Sequence, residues 1–403
     1  MFNDEQQAIG DNGLPINGTS NKEQIKDKID SFLHAFINSN INSSLTITEP
    51  KIRNILETIS IVIEFARNMG LGTMNRLYMA TELLHLNKEW DGLKLCLIEE
   101  LEAHLHPQAQ MKVISALQGQ KVQFIMSTHS PNLASKVKIS DKDNTNVILC
   151  YDSDVYPLNT DTTRLDEDDC KFLDHFLDVT KSNLFFAKGV IIVEGWAEEL
   201  LLPIIADKLG YNLTNQEVSI VNVGSTAYIR YANIFIRTDD KVLNMPISIV
   251  TDLDISPQKL RKEEDDNQNV EYSEINSEDE IRKSKEIVDS IALPVDSNVK
   301  IYISPHWTLE WCLLLSDAFR DDFMCCVSKV HSKTEGFKKN EFGQYEEERF
   351  RQTLIRKLKD RTLDKVAIAH ELCERIRMND NLNISEDDSA YYLVEAIKHV
   401  SKV

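Results

Sequence analysis

Positive charge, patterned cysteine and long apolar runs are all scarce in this chain of 403 residues. Lys and Arg total 45 against 65 Asp and Glu, a formal net charge of -20. Affinity for nucleic acid comes largely from basic side chains that neutralise phosphates, so a general polyanion binder is excluded. Action on DNA would need a local basic face, divalent cations screening the carboxylates, or a partner. No apolar run approaches the roughly 18 residues that span a bilayer, and no membrane role is expected. The first 22 residues are polar, with neither the basic start nor the apolar core of a signal peptide. The seven cysteines are odd in number and make no CxxC or Cys/His pattern. They read as buried thiols of a reducing cytoplasm rather than disulfides or zinc ligands, and a cytoplasmic location is expected. Also absent is any GxxxxGK[ST], the loop whose amides and lysine cradle nucleotide phosphates.

What remains is an ordinary globular composition, 42% hydrophobic and 27% charged, long enough for two or three domains. Residues 1–22 read as a flexible lead-in. Ile25, Ile29, Phe32, Leu33 and Phe36 recur at helical spacing, as do Ile52, Ile55, Leu56 and Ile59 onward to Phe65. After Gly70-Leu71-Gly72, the residues Leu77, Ala80, Leu83 and Leu84 predict a further helix. Short apolar runs at 93–98 and 122–126 flank a predicted helix at 107–117, the order of a parallel α/β unit. The polar stretch 140–169 has no assignment. Beyond it, apolar strands are predicted at 189–193, 218–223 and 247–251, with a helix over 197–209. Residues 261–286 are dense in Glu, Asp, Ser and Asn and read as a solvated acidic insertion.

The strand Val190-Ile191-Ile192-Val193 delivers Glu194 to the carboxyl edge of a sheet, where open α/β folds keep their active sites. Gly195 permits a tight turn, and Glu198 opens the next helix. The strand Ile249-Val250-Thr251 ends in Asp252 and Asp254, which would point the same way along extended chain. Each motif alone is common, as a helix-start acid or a solvated loop. Together they bring four carboxylates to one crevice, a repulsive set that a hard oxygen-seeking cation such as Mg²⁺ or Mn²⁺ would hold.

This pairing resembles the Toprim domain, and more closely the overcoming-lysogenization-defect (OLD) nucleases, which join a Toprim domain to an ABC-type ATPase. Asn222-Val223-Gly224-Ser225-Thr226 resembles the family's strand-and-glycine segment. Trp307-Thr308-Leu309-Glu310 resembles its TLE motif, and Lys365 in Asp364-Lys365-Val366-Ala367 corresponds to a family lysine. The resemblance implies phosphodiester hydrolysis with two metal ions held by Glu194, Glu198, Asp252, Asp254 and Glu310. One ion would activate water and the other stabilise the leaving oxygen, while Lys365 offsets charge on the phosphate. No tyrosine stands in a context for covalent strand passage, so a nuclease is expected rather than a topoisomerase.

In the first half, Leu95-Cys96-Leu97-Ile98-Glu99-Glu100 followed by Leu101-Glu102-Ala103-His104-Leu105-His106-Pro107 resembles the Walker B segment of the same family. Glu99 would help hold Mg²⁺ and Glu100 would polarise the attacking water. Ser127-Thr128-His129-Ser130-Pro131 resembles the switch strand, with His129 near the γ-phosphate. Gly70 to Asn75 stands where the family places its signature loop. Without a Walker A loop, Glu99, Glu100 and His129 are expected to meet ATP only if a missing lobe is supplied, and the chain alone is expected to have no ATPase activity.

The expected architecture is α/β: a partial ABC-type ATPase lobe over 23–180, then a Rossmann-like parallel Toprim sheet with a helical C-terminal part over 181–403. The chain reads as a fragment, a truncated product or half of a split system. The expected partners are a DNA substrate, a second copy in a homodimer, and a partner protein or missing ATPase lobe; phage defence or DNA repair is the expected setting. The competing expectation is a non-catalytic remnant serving dimerisation, and RNA remains open as a substrate.

Overall fold

The computed structural model describes residues 70–86, 92–118, 120–141, 144–258, 276–294 and 297–401, and before these 7–9, 15–20, 23, 25–31, 43–46 and 60–63. The chain divides into two compact units, 1–136 and 137–403.

In the first unit, strands Leu95–Ile98 and Gln123–Met126 pair in parallel. Helix Pro107–Gln118 connects them, starting with a proline whose missing N–H costs nothing at a first helical position. Ala109, Val113 and Leu117 on that helix bury against Ala80, Leu101, Leu105 and Leu133. Helix Leu71–Leu86 lies where the spacing of Leu77 and Ala80 predicts it. Its start is seated on the loop after the first strand. A Cβ on Gly72 would collide with the His104 carbonyl oxygen, and the Asn75 side chain donates to the Ala103 carbonyl at 2.8 Å.

Two readings of the first 65 residues need correction. The described part of the expected lead-in is an antiparallel pair, Gln7–Ile9 with Pro15–Ser20. The intervening sequence contains Asp11-Asn12-Gly13, strong hairpin-turn chemistry that the polar composition obscured. The expected helix through Ile59 meets strand Ser60–Ile63, paired antiparallel with Ser43–Thr46. Ile61, Val62 and Ile63 are all β-branched, a run that fits a pleated strand better than a helix. Residues 25–31 are helical as expected, and the continuation through Phe32 to Phe36 lies outside the described residues.

The second unit is built on four parallel strands in the order Val218–Asn222, Gly189–Val193, Ile247–Thr251, Val299–Ile303. Alternate side chains of the central strands feed two cores. Ile191, Val193 and Val250 face a core shared with helices Trp196–Lys208, Arg320–Val330, Glu347–Lys359, Lys365–Met378 and Tyr391–Val400. Val190, Ile192, Ile247 and Ile249 face the other, and a sheet buried on both faces explains the uninterrupted apolar runs. That second core also takes in Leu149, Tyr156, Leu158, Leu173 and Leu177. The stretch 140–169 left unassigned from sequence therefore folds with the sheet: hairpin Ile148–Tyr151 with Asp154–Pro157 turns through Asp152 and Ser153, both at positive φ. The compact second unit accordingly starts at Val137 rather than near residue 181.

Of the acidic insertion, residues 261–275 lie outside the described residues, and the rest is Asn276 and the start of the helix it caps, Ser277–Ile291, of which only Ile291 is buried. Among the described residues no helix is long and apolar enough to cross a membrane. All seven cysteines are free thiols, with Cys170, Cys312, Cys326 and Cys373 buried.

Ile192 is fully buried on the central strand Gly189–Val193. Ile192→Ala should cost about 2–5 kcal/mol in urea unfolding, through lost burial and a residual cavity. A loss below about 1 kcal/mol would contradict this packing.

Candidate active site

In the order 218–222, 189–193, 247–251, 299–303, the chain leaves strand Gly189–Val193 to one side and later returns to its other side. That reversal lies at the carboxyl ends of strands Gly189–Val193 and Ile247–Thr251, the position at which open α/β sheets form a ligand-binding crevice. Glu194 and Asp252 are the residues immediately following these two strands.

Each acid is held by its neighbours. Thr251, 4% exposed, donates its hydroxyl to Glu194 Oε1. Glu198 stands in the first turn of helix Trp196–Lys208, and a Cβ on Gly195 would lie 3.1 Å from its Oε2, so glycine leaves the carboxylate room. Asp252 Oδ1 accepts the Leu309 amide at 2.8 Å. That amide opens helix Leu309–Leu315, capped by Thr308, whose hydroxyl accepts from the Trp311 amide. The Thr-Leu-Glu segment thus does three things in three residues: Thr308 caps, Leu309 holds Asp252, and Glu310 turns inward, 3% exposed. Lys365 comes from the start of helix Lys365–Met378, capped by Asp364, and its ammonium lies 2.8 Å from Glu310 Oε2.

Asp254 departs from the sequence argument. The strand ends at Thr251, and Asp254 sits at φ +58 with its amide donating to the Trp307 carbonyl at 3.0 Å. Extended-chain alternation therefore does not align it with Asp252. It is exposed and acts on Glu194 by its charge.

The electrostatics follow from burial. Desolvation first, then the Glu310 carboxylate, push Glu198 up to about 7. Asp252 is raised well above the usual carboxylate range by burial and by Glu310 and Glu198, against the lowering influence of Lys365. Glu194 is raised by burial, opposed by the Thr251 hydrogen bond. Lys365 is raised in spite of burial, because Glu310, Asp252 and Glu198 surround it. Glu198, Asp252, Glu310 and Lys365 thus form one group, and Glu194 links it to Asp254.

Sequence reasoning missed several groups here. Thr251 was read only as strand. Tyr228, at the start of a short helix against the central strands, is raised by burial, with Thr251, Glu194 and Asp254 around its phenol. Tyr392 and Cys312 are buried beneath Asp252 and Glu310. His306 Nδ1 lies 3.0 Å from Glu280. Only Thr251 carried a local signal, a hydroxyl directly before the DxD; the others arrive from distant sequence.

Among the described residues no three His, Cys, Asp or Glu side chains close into a metal-ligating group. The acids are instead occupied by Thr251, the Leu309 amide and Lys365. The donor chemistry still suits a hard divalent cation: every group is a carboxylate, and the set repels itself.

In the first unit, Glu99 and Glu100 follow strand Leu95–Ile98 and both are exposed, as is His129. Glu100 is at φ +46, and its amide bonds the Ser127 hydroxyl at 3.3 Å. The acid that grips the Ser-Thr-His segment is Glu102, which takes the Thr128 hydroxyl at 2.7 Å and the His129 amide at 2.5 Å.

Residues 185–254, which include both strand ends and four of the acids, match the family described as overcoming lysogenization defect protein-like, TOPRIM domain. The chain carries an OLD-like Toprim domain. Residues 7–134 match an AAA ATPase domain, a span that begins inside the expected lead-in. Endonuclease GajA of Bacillus cereus is 25% identical over 315 residues, covering 68% of this chain and 44% of that protein. An OLD nuclease of Thermus scotoductus is 27% identical over 179 residues, 42% of this chain and 32% of that protein. The chain spans less than half the length of either relative. A solved C-terminal region of the Xanthomonas campestris pv. campestris OLD protein is 20% identical, covering 54% of this chain and 94% of that region at a TM-score of 0.33.

Burial of the Toprim acids has a consequence for stability. A carboxyl raised in the folded state stays protonated there while the unfolded chain ionises, so stability falls as pH climbs from the ordinary 4.5 through about 7. Between pH 5 and 8 in EDTA, urea unfolding should show a loss on the order of 2 kcal/mol. Glu198→Gln should flatten the profile, and an unchanged slope in that variant would refute the placement of Glu198. Lys365, raised from an already high value, contributes nothing across this window.

Proposed function

We propose that the Toprim crevice is the active site of a metal-dependent DNA endonuclease that hydrolyses phosphodiester bonds. The reading rests above all on the crowding of Glu198, Asp252 and Glu310 around one lysine at the sheet's switch point. The names of the two curated relatives, an endonuclease and a nuclease, support it.

Glu194, Glu198, Asp252, Asp254 and Glu310 would hold Mg²⁺ or Mn²⁺, two ions in this reading. Bound there, the ions supply an activated water and charge stabilisation at the leaving oxygen. The protein's own groups prepare that chemistry. The Thr251 hydroxyl and the Asp252 amide hold Glu194, and the Leu309 amide fixes one Asp252 oxygen. Lys365, half-exposed and held at Glu310, offers its ammonium to a phosphate that enters the crevice. A pre-positioned cation of this kind acts on charge as it develops on the phosphoryl oxygens.

Defence against foreign DNA or DNA repair, a homodimer, and control by ATP through a completed ATPase lobe with Glu99, Glu100 and His129 belong to the same proposal. One observation favours a second reading, an acidic site that is structural only: the Lys365–Glu310 pair already offsets part of the crevice charge.

Nicking of supercoiled plasmid separates the two. The chain should cleave with Mg²⁺ or Mn²⁺ and stop in EDTA, and Asp252→Ala should lower the rate at least a hundredfold without loss of fold by circular dichroism. Cleavage that persists in Asp252→Ala, or is absent from a folded wild-type protein at all metal concentrations, would favour the structural reading.

A further inference from the structure

A chain with 20 excess negative charges must still bring a polyanion to an acidic crevice, and its basic residues are not evenly spread. Between residues 349 and 365 it carries seven Lys or Arg against two Asp. This segment comprises helix Glu347–Lys359 apart from its first two residues, both Glu, and the turn leading to helix Lys365–Met378. One side of the first helix is buried through Phe350, Leu354, Ile355 and Leu358, which turns Arg356 and Lys359 outward. Arg361 follows in the turn, exposed, at φ +54.

The segment is tied to the carboxylate crevice twice. The Lys359 ammonium donates to the Pro257 carbonyl, in the loop that continues from Asp252 and Asp254. Lys365 is paired with Glu310 inside the crevice. Arg356, Lys357 and Arg361 lie beside or between these anchors. Among the described residues they make no ion pair, although acids outnumber bases across the chain. The helix macrodipole explains cations in the last turn, but not Arg361, which stands beyond the helix end, nor the want of carboxylate partners among the described residues.

We propose that Arg356, Lys357 and Arg361 form the surface along which the phosphate backbone of DNA runs to and from the Toprim crevice. This rests on the nuclease reading above and adds where the substrate lies. Each phosphate neutralised here displaces condensed counterions, so affinity gained on this surface must depend steeply on salt.

The test is the binding of a fluorescein-labelled 30-base-pair duplex to the full chain, by anisotropy in Ca²⁺ across a series of NaCl concentrations. The triple variant Arg356→Gln/Lys357→Gln/Arg361→Gln should bind at least tenfold more weakly near 0.1 M salt. It should also flatten the plot of log K against log salt by about 0.9 per residue removed. Arg361→Gln alone, outside any helix, should lower the slope by about 0.9. Arg356→Lys/Arg361→Lys should keep it. Mn²⁺-dependent hydrolysis of the p-nitrophenyl ester of thymidine 5′-phosphate, which needs no extended backbone, should be unchanged in all variants. Wild-type affinity and slope in the Gln variants would overturn the proposal, as would a wild-type chain that binds no duplex. Loss of slope in the variants with no hydrolysis by the wild type would uphold this surface while removing the nuclease reading.

Discussion

Negative charge gathered at one end of a parallel sheet is the constraint on which the second unit depends. Glu198 and Asp252 are raised by burial and by the neighbouring Glu310 carboxylate, and a buried carboxylate without compensation costs several kcal/mol. The fold answers with one ammonium, Lys365, at 2.8 Å from Glu310, and with the hydrogen bonds of Thr251 and the Leu309 amide. Lys365 reaches the crevice because helix Lys365–Met378 packs against helix Trp196–Lys208, where Cys373 donates to the Leu200 carbonyl. The packing of the C-terminal helices is thus what brings the neutralising cation to the strand ends. A Toprim sheet without those helices would have its acids and no Lys365 to neutralise them.

Three of the four strands were legible because both faces of the sheet are covered, whereas the edge strand Val299–Ile303, interrupted by Lys300, was missed. Gly189 to Val193 is apolar throughout, and Ile247 to Thr251 carries only the buried hydroxyls of Ser248 and Thr251 among its apolar residues; both strands have the limits the sequence predicts. Glu194, Glu198, Asp252 and Glu310 were legible for a related reason: an acid directly after a buried strand, or in the first turn of a helix, has its position dictated by local geometry. Lys365 is a lysine on an exposed helix start by any local criterion, and only tertiary packing gives it a role.

Elsewhere the local signal misled. Asp254 was aligned with Asp252 on the assumption of extended backbone, but the chain turns at φ +58 to place its amide on the Trp307 carbonyl. Ser60 to Ile63 read as the end of a helical pattern until pairing with Ser43 to Thr46 decided it, since period alone separates short strands from helices poorly. The polar stretch after Ser140 hid Leu149, Tyr156, Leu158 and Leu173 among acids and hydroxyls. Those side chains cover one face of the Toprim sheet, so a segment without a readable period supplies part of its core.

Net charge, finally, is a poor guide to what a protein of this kind touches, because its parts answer to different demands. Acids must cluster if divalent ions are to be held, and exposed acids elsewhere, as on helix Ser277–Ile291, keep the surface solvated. Phosphates respond to the field within about a Debye length of roughly 8–10 Å, not to the sum over 403 residues. A segment of excess positive charge is joined to the crevice through Lys359 and Lys365, and on the proposal above a backbone would meet it there. Under the proposed reading the acidity of the chain and action on a polyanion are compatible: clustered carboxylates would call for cations, and the excess of acid would disfavour DNA everywhere but beside the site.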